Sequence, residues 1–478
     1  MEITTFTTVG SGAANNHVLR IKAPPAGVAI ARAPVHFILL IDTSGSMETG
    51  SKLHNVVRSA HFMLEHLQAT DHLTLIDFNT KATLLVDHLP MTAEAKIHVS
   101  QRLAAVAAEG STNLSAALLL AKTAAQSTPA AMKTGILILT DGHANIGVTD
   151  QATLLTILQG TNASISTVGY GTDHNTDILT AMAAGSGGSY NVVSNLEDTA
   201  TVFGDILGGL LSCAAQNVVV EYPVGTAVFS VLPYQADKLT IGDIQADTEM
   251  FIVSTAAATR VTGYEMPAAT AFAIVPSPVQ PSAEQLVEAT VSIARFKVSR
   301  LLTDVGHGRV SAYDVPPAIA ALRALVAEIP DAHPMRHILR EQLTLAEGSV
   351  SLPGMSTILS QRGASIGIGR GILTGESDPG VASPFANRVQ RNISSGLRHS
   401  TQEPVSLNQL SPILGPMRHH TNLLEGISTL GELTGLEEEE IPSGPPSSLE
   451  RQTASGYTIM LSGETFSMGG ATGGAGKA

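Results

Sequence analysis

The stretch that decides the fold is VHFILLIDTSGSM, residues 35–47. Its first seven residues are almost all apolar, which is typical of a short strand buried on both faces. The strand then runs directly into Asp42, Ser44 and Ser46. A carboxylate and two hydroxyls in five residues could form a turn, a helix cap, a phosphate-binding loop or a metal site, so other segments must decide.

Apolar segments of strand length alternate with helical periodicity on both sides of this stretch. GILILT at 135–140 and ASISTVG at 163–169 predict further buried strands, and residues 72–87 predict a hairpin. Strands that alternate with helices form a mostly parallel sheet covered by helices on both faces. We therefore predict an α/β domain with a doubly wound, mostly parallel sheet over residues 33–213.

The pattern of apolar and polar residues changes after Cys213. Short alternating segments predict a small antiparallel β domain over 214–280, and residues 1–32 carry a strand segment expected to pair with it. Helical periodicity predicts a helical segment over 281–374. From 375 to 478 the chain is rich in Gly, Ser, Pro and Thr, which predicts a mostly disordered tail.

Composition limits the class of partner and the compartment. The chain of 478 residues has 27 Lys and Arg against 41 Asp and Glu, a net charge of −14, which argues against nucleic acid or an anionic membrane as partner. Its one cysteine, Cys213, excludes disulfide scaffolds and RING fingers within these residues. The start of the sequence shows no secretory signal, so we expect an intracellular, cytoplasmic location.

Oxygen-bearing side chains follow two of the predicted strands and precede one helix. Asp42 and Asp141 lie at the carboxyl ends of strands, and Thr112 lies just before a helix. If the two strands are neighbours where the strand order reverses, the three loops meet at one edge of the sheet. Carboxylate and hydroxyl oxygens without thiolate or imidazole suit Mg²⁺.

Simpler interpretations exist for each motif alone. Asp42 and the serines after it could cap the helix that starts near residue 51. Asp141 and Gly142 form a common turn dipeptide, and Thr112 with Asn113 could cap a helix. The combination of all three motifs in order favours the metal site.

DTSGSM, GSTNL and LTDG together resemble the metal-ion-dependent adhesion site of von Willebrand factor type A domains. The resemblance covers about residues 33–213 and implies binding of Mg²⁺ or Mn²⁺, with a Glu or Asp of a protein partner at the open coordination position. The implied metal ligands are Asp42, Ser44 and Ser46 in the first loop, Thr112 in the second and Asp141 in the third. Ser111 stands where the family commonly has glycine, and the retained threonine implies that metal binding survives.

The order of segments is similar to plant and fungal type A proteins, including the root-waviness group of ubiquitin ligases. MSTILSQRGASIGIGRGI, residues 355–372, resembles the end of their helical segment. Those ligases carry an N-terminal RING, whereas this chain begins at the first strand and has a single cysteine. The resemblance therefore does not extend to ligase activity.

We interpret the chain as a metal-dependent protein-interaction scaffold and not as an enzyme. One alternative is a substrate adaptor, or a relative without a RING, in a ubiquitin ligase assembly. Another is a hydrolase that uses the metal or Ser365, because GASIG at 363–367 matches G-x-S-x-G. That motif needs a strand–turn–helix context. The predicted ligand set also includes no histidine or unused carboxylate to act as general base.

Overall fold

A computed structural model describes residues 1–9, 15–25, 32–129, 131–193, 199–349, 355–367 and 388–393. The strands are β1 Glu2–Val9, β2 Asn15–Lys22, β3 Val35–Asp42, β4 His72–Phe78, β5 Ala82–Pro90, β6 Lys133–Thr140, β7 Ser164–Tyr170, β8 Tyr190–Val193, β9 Cys213–Glu221, β10 Val228–Phe229, β11 Tyr234–Gln235, β12 Lys238–Gln245, β13 Glu249–Ser254, β14 Arg260–Glu265, β15 Thr270–Ile274 and β16 Ser277–Pro278. The helices are α1 Lys52–His66, α2 Ala93–Ala104, α3 Leu114–Gln126, α4 Gln151–Ile157, α5 Thr176–Ser186, α6 Thr199–Leu211, α7 Ala283–Gly306, α8 Val315–Ala327, α9 Pro334–Ser349 and α10 Met355–Gly367. A 3-10 segment, Gly45–Ser51, precedes α1.

The central sheet has six strands in the order β5-β4-β3-β6-β7-β8. All neighbours run parallel except β5, which is antiparallel to β4. Within this sheet the chain passes from β3 outward to β4 and β5, and then returns to the other side of β3 as β6. The strand order therefore reverses between β3 and β6, and the prediction of a doubly wound, mostly parallel sheet is confirmed.

Residues 37–41 of strand β3 are all apolar because both faces of the strand are covered. Phe37, Leu39 and Ile41 pack in one core with residues of α1, α2 and α6. The alternate residues Ile38 and Leu40 pack in a second core with residues of α3, α4 and α5. A strand in this position has no solvent-facing side, so its sequence shows an unbroken apolar run instead of alternation.

The β domain consists of two five-stranded sheets, ordered β10-β13-β2-β1-β16 and β11-β12-β9-β14-β15. The N-terminal strand β2 pairs antiparallel with β1 on one side and with β13 on the other. The β domain therefore contains strands from the chain before the α/β segment and strands from the chain after it. Its main core lies between the sheets and includes Leu19, Val220 and Leu239.

The α/β and β segments meet through a buried ion pair and a close backbone contact. Lys133 at the start of β6 lies 2.9 Å from Asp243 of β12, and their side chains are 1% and 7% exposed. Gly187, which ends α5, approaches Gly242 so closely that a Cβ added there would lie 2.2 Å from the Gly242 Cα. These contacts join the two segments at this point.

Helices α7 to α10 form a further core of their own. Helix α10 is attached to α7 by the Arg295 guanidinium, which donates to the carbonyls of Ile366 and Gly367 at 2.6 and 3.2 Å. Ser365 lies within α10 and not at the strand-to-helix turn that a G-x-S-x-G nucleophile would need. Among the described residues, no helix is both long and apolar enough to cross a membrane.

One short part of the predicted disordered tail is packed against the α/β segment. Residues 388–393 are helical, and the Gln390 side chain donates to the Asp205 carbonyl of α6 at 2.8 Å. Ile393 is 5% exposed and joins the core on that side of the sheet. Residues 375–387 and 394–478, the remainder of that prediction, lie outside the described residues.

Candidate metal centre

Three loops meet at the carboxyl edge of the sheet where the strand order reverses. Backbone hydrogen bonds hold the first loop against the second: Gly45 donates to the Gly110 carbonyl at 3.1 Å, and Glu109 donates to the Thr43 carbonyl at 2.8 Å. Gly110 has a φ of +68°, and a Cβ there would lie 2.5 Å from the Thr80 hydroxyl. The second loop can therefore reach the first only with glycine at this position.

Asn145 connects the second loop to the third. Its side-chain oxygen accepts from the Thr112 backbone N–H at 2.9 Å, and its own N–H donates to the Thr112 carbonyl at 3.1 Å. This reciprocal pair fixes the backbone of Thr112 beside the loop that follows β6. Ser111, which stands where the family commonly has glycine, donates its backbone N–H to the Thr80 hydroxyl at 3.1 Å.

The side-chain oxygens of the three loops face one another. The Ser46 hydroxyl donates to Asp141 Oδ1 at 2.6 Å and lies 3.2 Å from the Ser44 hydroxyl. A Cβ built on Gly142 would have the Thr112 hydroxyl at 3.8 Å and the Ser46 hydroxyl at 4.0 Å. Asp42 closes the inner side, next to Ser44. The five residues that the sequence proposed as ligands are thus brought together at one place.

Asp42 lies at the bottom of this cluster and is 0% exposed. Its Oδ1 accepts from the Ser44 N–H at 2.8 Å, and its Oδ2 accepts from the Thr140 hydroxyl at 2.5 Å. Burial, and to a lesser extent the nearby charge of Asp141, raise the pKa of Asp42 to about 6, against the lowering effect of these hydrogen bonds. A buried carboxylate of this kind gains from a neighbouring positive charge.

The capping interpretation holds for Asn113 but not for the side chains of Asp42 and Thr112. Ser51 occupies the cap position of α1 and makes no side-chain cap bond. Asn113 caps α3 by accepting from the Ala116 N–H at 3.2 Å. The side chains of Asp42 and Thr112 are therefore not used as helix caps and point to a different role.

Two side chains at the centre carried no signal in the sequence. Thr140, the last residue of β6, donates to Asp42 across the sheet. Lys52, the first residue of α1, donates from Nζ to Asp141 Oδ2 at 2.6 Å. Both partners are distant along the chain, so only knowledge of the strand order could have placed them here.

The donor set fits a hard divalent cation better than zinc. In the part of the chain that the structure describes, no three His, Cys, Asp or Glu side chains are grouped so that they could hold a metal by themselves. A cation here would rest on two carboxylates and on hydroxyls, which are ligands suited to Mg²⁺ or Mn²⁺. His174 lies near enough for the charge of Asp141 to affect it, but its Nε2 is bonded to the Tyr190 hydroxyl at 2.7 Å and burial lowers its pKa to about 4.

Comparison with known proteins finds a family model that matches the segment carrying these three loops. Residues 37–143 match the family model described as von Willebrand factor type A domain. The protein sll0103 of Synechocystis is 28% identical over 173 residues, which are 36% of this chain and 40% of that protein. The chain thus spans well under half of that relative.

Two solved structures have a similar fold over most of the described chain. A von Willebrand factor type A protein from Catenulispora acidiphila has a TM-score of 0.55 at 13% identity and covers 77% of this chain and 96% of its own. The ArnB paralog VWA2 from Sulfolobus acidocaldarius has a TM-score of 0.50 at 15% identity, with 77% and 98% coverage. At these identities the likeness establishes the fold alone.

Proposed function

We propose that this chain, which carries a von Willebrand factor type A domain, is a divalent-cation-dependent protein-interaction module that binds a carboxylate of its partner. The observation that carries the proposal is the convergence of oxygens from three loops. Hydrogen bonds of 2.6 and 3.2 Å link Ser46 to Asp141 and to Ser44, and the Thr112 hydroxyl faces the same point. Asp42, Ser44, Ser46, Thr112 and Asp141 would hold the ion.

The arrangement of exposed and buried groups suits an ion that is reached from solvent. The two aspartates, Ser44 and Thr112 are at most 4% exposed, whereas Ser46 is exposed at the mouth. A bound Mg²⁺ or Mn²⁺ would supply a coordination position for a hard anionic oxygen, such as a Glu or Asp side chain of a partner. Because the whole chain carries a net charge of −14, an acidic partner must be attracted locally, by the ion.

The geometry does not favour hydrolysis at this site. Both oxygens of Asp42 accept hydrogen bonds, from Ser44 and Thr140, and both oxygens of Asp141 accept from Ser46 and Lys52. When both carboxylates hold the ion, neither is free to take a proton from water as a general base. We therefore propose a binding function.

We also propose that the chain lies in a reducing compartment, because its 478 residues include one cysteine.

Cation binding is tested first, by titrating Mn²⁺ and following the relaxation of water protons. The wild type should show saturable binding, and Asp42→Ala should abolish it. Asp87→Ala is a matched control, because this aspartate on β5 has a side chain that is 60% exposed. Equal binding by the wild type and Asp42→Ala would refute the assignment of the site.

The carboxylate is tested with peptides immobilised on a surface. Peptides that present glutamate should retain the protein in Mg²⁺ and release it in a chelator. The same peptides with glutamine in place of glutamate should retain little protein in either buffer. Retention that is unaffected by both the chelator and the amide substitution would show that the interface lies elsewhere on the chain.

A further inference from the structure

Lys52 is the one cationic side chain bonded to the proposed ligands among the described residues. Its Nζ lies 2.6 Å from Asp141 Oδ2, and the side chains are 23% and 0% exposed. The other oxygen of the same carboxylate, Oδ1, accepts from the Ser46 hydroxyl at 2.6 Å. Asp141 is therefore shared between an ammonium group on one side and the cluster of hydroxyls on the other.

The chain adopts an unusual backbone to place Lys52 there. Thr49 is extended, and both Gly50 and Ser51 have left-handed φ values of 66° and 61° immediately before α1 begins. A left-handed conformation at a non-glycine residue costs about 1 kcal/mol or more. This turn directs the first residue of α1 back toward the loop after β6.

The stability of α1 does not explain a lysine at this position. The amino end of a helix carries partial positive charge, so a cation in its first turn is unfavourable. Helix α1 has no acidic residue in its first turn and no side-chain cap bond from Ser51. The favourable interaction of Lys52 is thus the one with Asp141, which belongs to the cation site.

On the basis of the proposed function, we infer that Lys52 is a specificity-determining residue that makes the site bind a cation and a carboxylate together. Two carboxylates and one ammonium carry one net negative charge. A divalent cation converts this to one net positive charge, which favours an added anion. Without Lys52 the loaded site would be neutral, so it would hold the cation more tightly and attract the carboxylate less.

The inference predicts opposite effects on the two ligands. Lys52→Gln should bind Mn²⁺ alone about tenfold more tightly, the order expected when one like charge is removed from a partly exposed site. Acetate, used as a minimal carboxylate, should strengthen Mn²⁺ binding in the wild type. In Lys52→Gln this strengthening should fall severalfold, because linkage between the two ligands is reciprocal.

The experiment measures the Mn²⁺ affinity with and without acetate in four chains: wild type, Lys52→Gln, Lys52→Arg and Lys81→Gln. Lys52→Arg keeps the charge and should retain the wild-type coupling. Lys81→Gln removes an exposed lysine from the turn between β4 and β5, at the same edge of the sheet, and should also behave as the wild type. Circular dichroism verifies that each chain is folded.

The outcomes separate this inference from the proposed function. Saturable Mn²⁺ binding with an affinity and an acetate coupling that Lys52→Gln leaves unchanged would overturn the role of Lys52 alone. No saturable binding to the wild type would overturn the proposed function and this inference with it. If Lys52→Gln does not fold, the wild type still decides: Mn²⁺ binding that acetate does not strengthen would overturn the inference.

Discussion

Replacing His36 should make the stability of the protein less sensitive to acid. His36 is 0% exposed at the start of β3, and its ring nitrogens bond to the Thr128 and Thr74 hydroxyls at 2.6 and 2.9 Å. The His88 ring lies 3.8 Å away between centroids, and His72 lies 5.6 Å from His88. Burial first, and then the charges of His88 and His72, lower the pKa of His36 to about 3.

The size of the effect follows from linkage between protonation and folding. An unfolded histidine has a pKa of about 6.5, so on acidification the unfolded chain takes up this proton before the folded chain does. Stability is therefore lost as the pH falls from about 6.5 toward 3. Between the two pKa values the free energy of unfolding falls by about 1.4 kcal/mol per pH unit. From about pH 6.5 to about pH 5 the fall is therefore about 2 kcal/mol.

The measurement compares urea unfolding of the wild type and His36→Gln at about pH 7.5 and about pH 5. The variant should be less stable near neutrality, because it alters the two threonine hydrogen bonds. That difference should shrink by about 2 kcal/mol at the lower pH. Other titrating groups, including Asp42 and His174, are present in both chains and cancel.

The control is His98→Gln, since His98 is exposed on α2. A change with pH as large as that of His36→Gln in this control would show that burial of His36 is not the cause. A difference between the wild type and His36→Gln that does not change with pH would refute the argument. It would mean that the His36 ring takes up a proton in the folded chain as readily as in the unfolded one.

Three further predictions test the packing and the metal site. Lys133→Met removes the ammonium group 2.9 Å from buried Asp243 and should cost about 3–5 kcal/mol in unfolding free energy, much of it regained when Asp243→Leu is added; a double variant no more stable than the single one would contradict this. Gly187→Ala should lower the melting temperature because its Cβ would lie 2.2 Å from the Gly242 Cα, whereas Gly185→Ala in α5, with no atom within 4 Å, should be neutral or slightly stabilising. Chelation of divalent metal should leave the far-ultraviolet circular dichroism unchanged, since the cores consist of apolar side chains from strands and helices; loss of helical signal would show that the ion is structural.

Local patterns were sufficient for the architecture around the site. The unbroken apolar run of β3 requires cover on both faces, and the alternation of strands and helices requires a parallel sheet, so Asp42 and Asp141 could be assigned to strand ends from sequence alone. The same patterns indicated that Thr112 precedes a helix. These inferences hold because burial and secondary structure depend on residues that are close together along the chain.

The partners of the site residues depended on the tertiary structure. Thr140 lies 98 residues from Asp42, and Lys52 lies 89 residues from Asp141, yet each pair is joined by a hydrogen bond. The first pair forms because β6 lies beside β3, and the second because the left-handed turn before α1 directs Lys52 toward the loop after β6. The spacing of apolar residues along the sequence predicts neither of these features. The sequence thus determined which oxygens could form the site, whereas the fold decided that a lysine shares one of its carboxylates, because contact between distant residues is set by strand order and backbone direction.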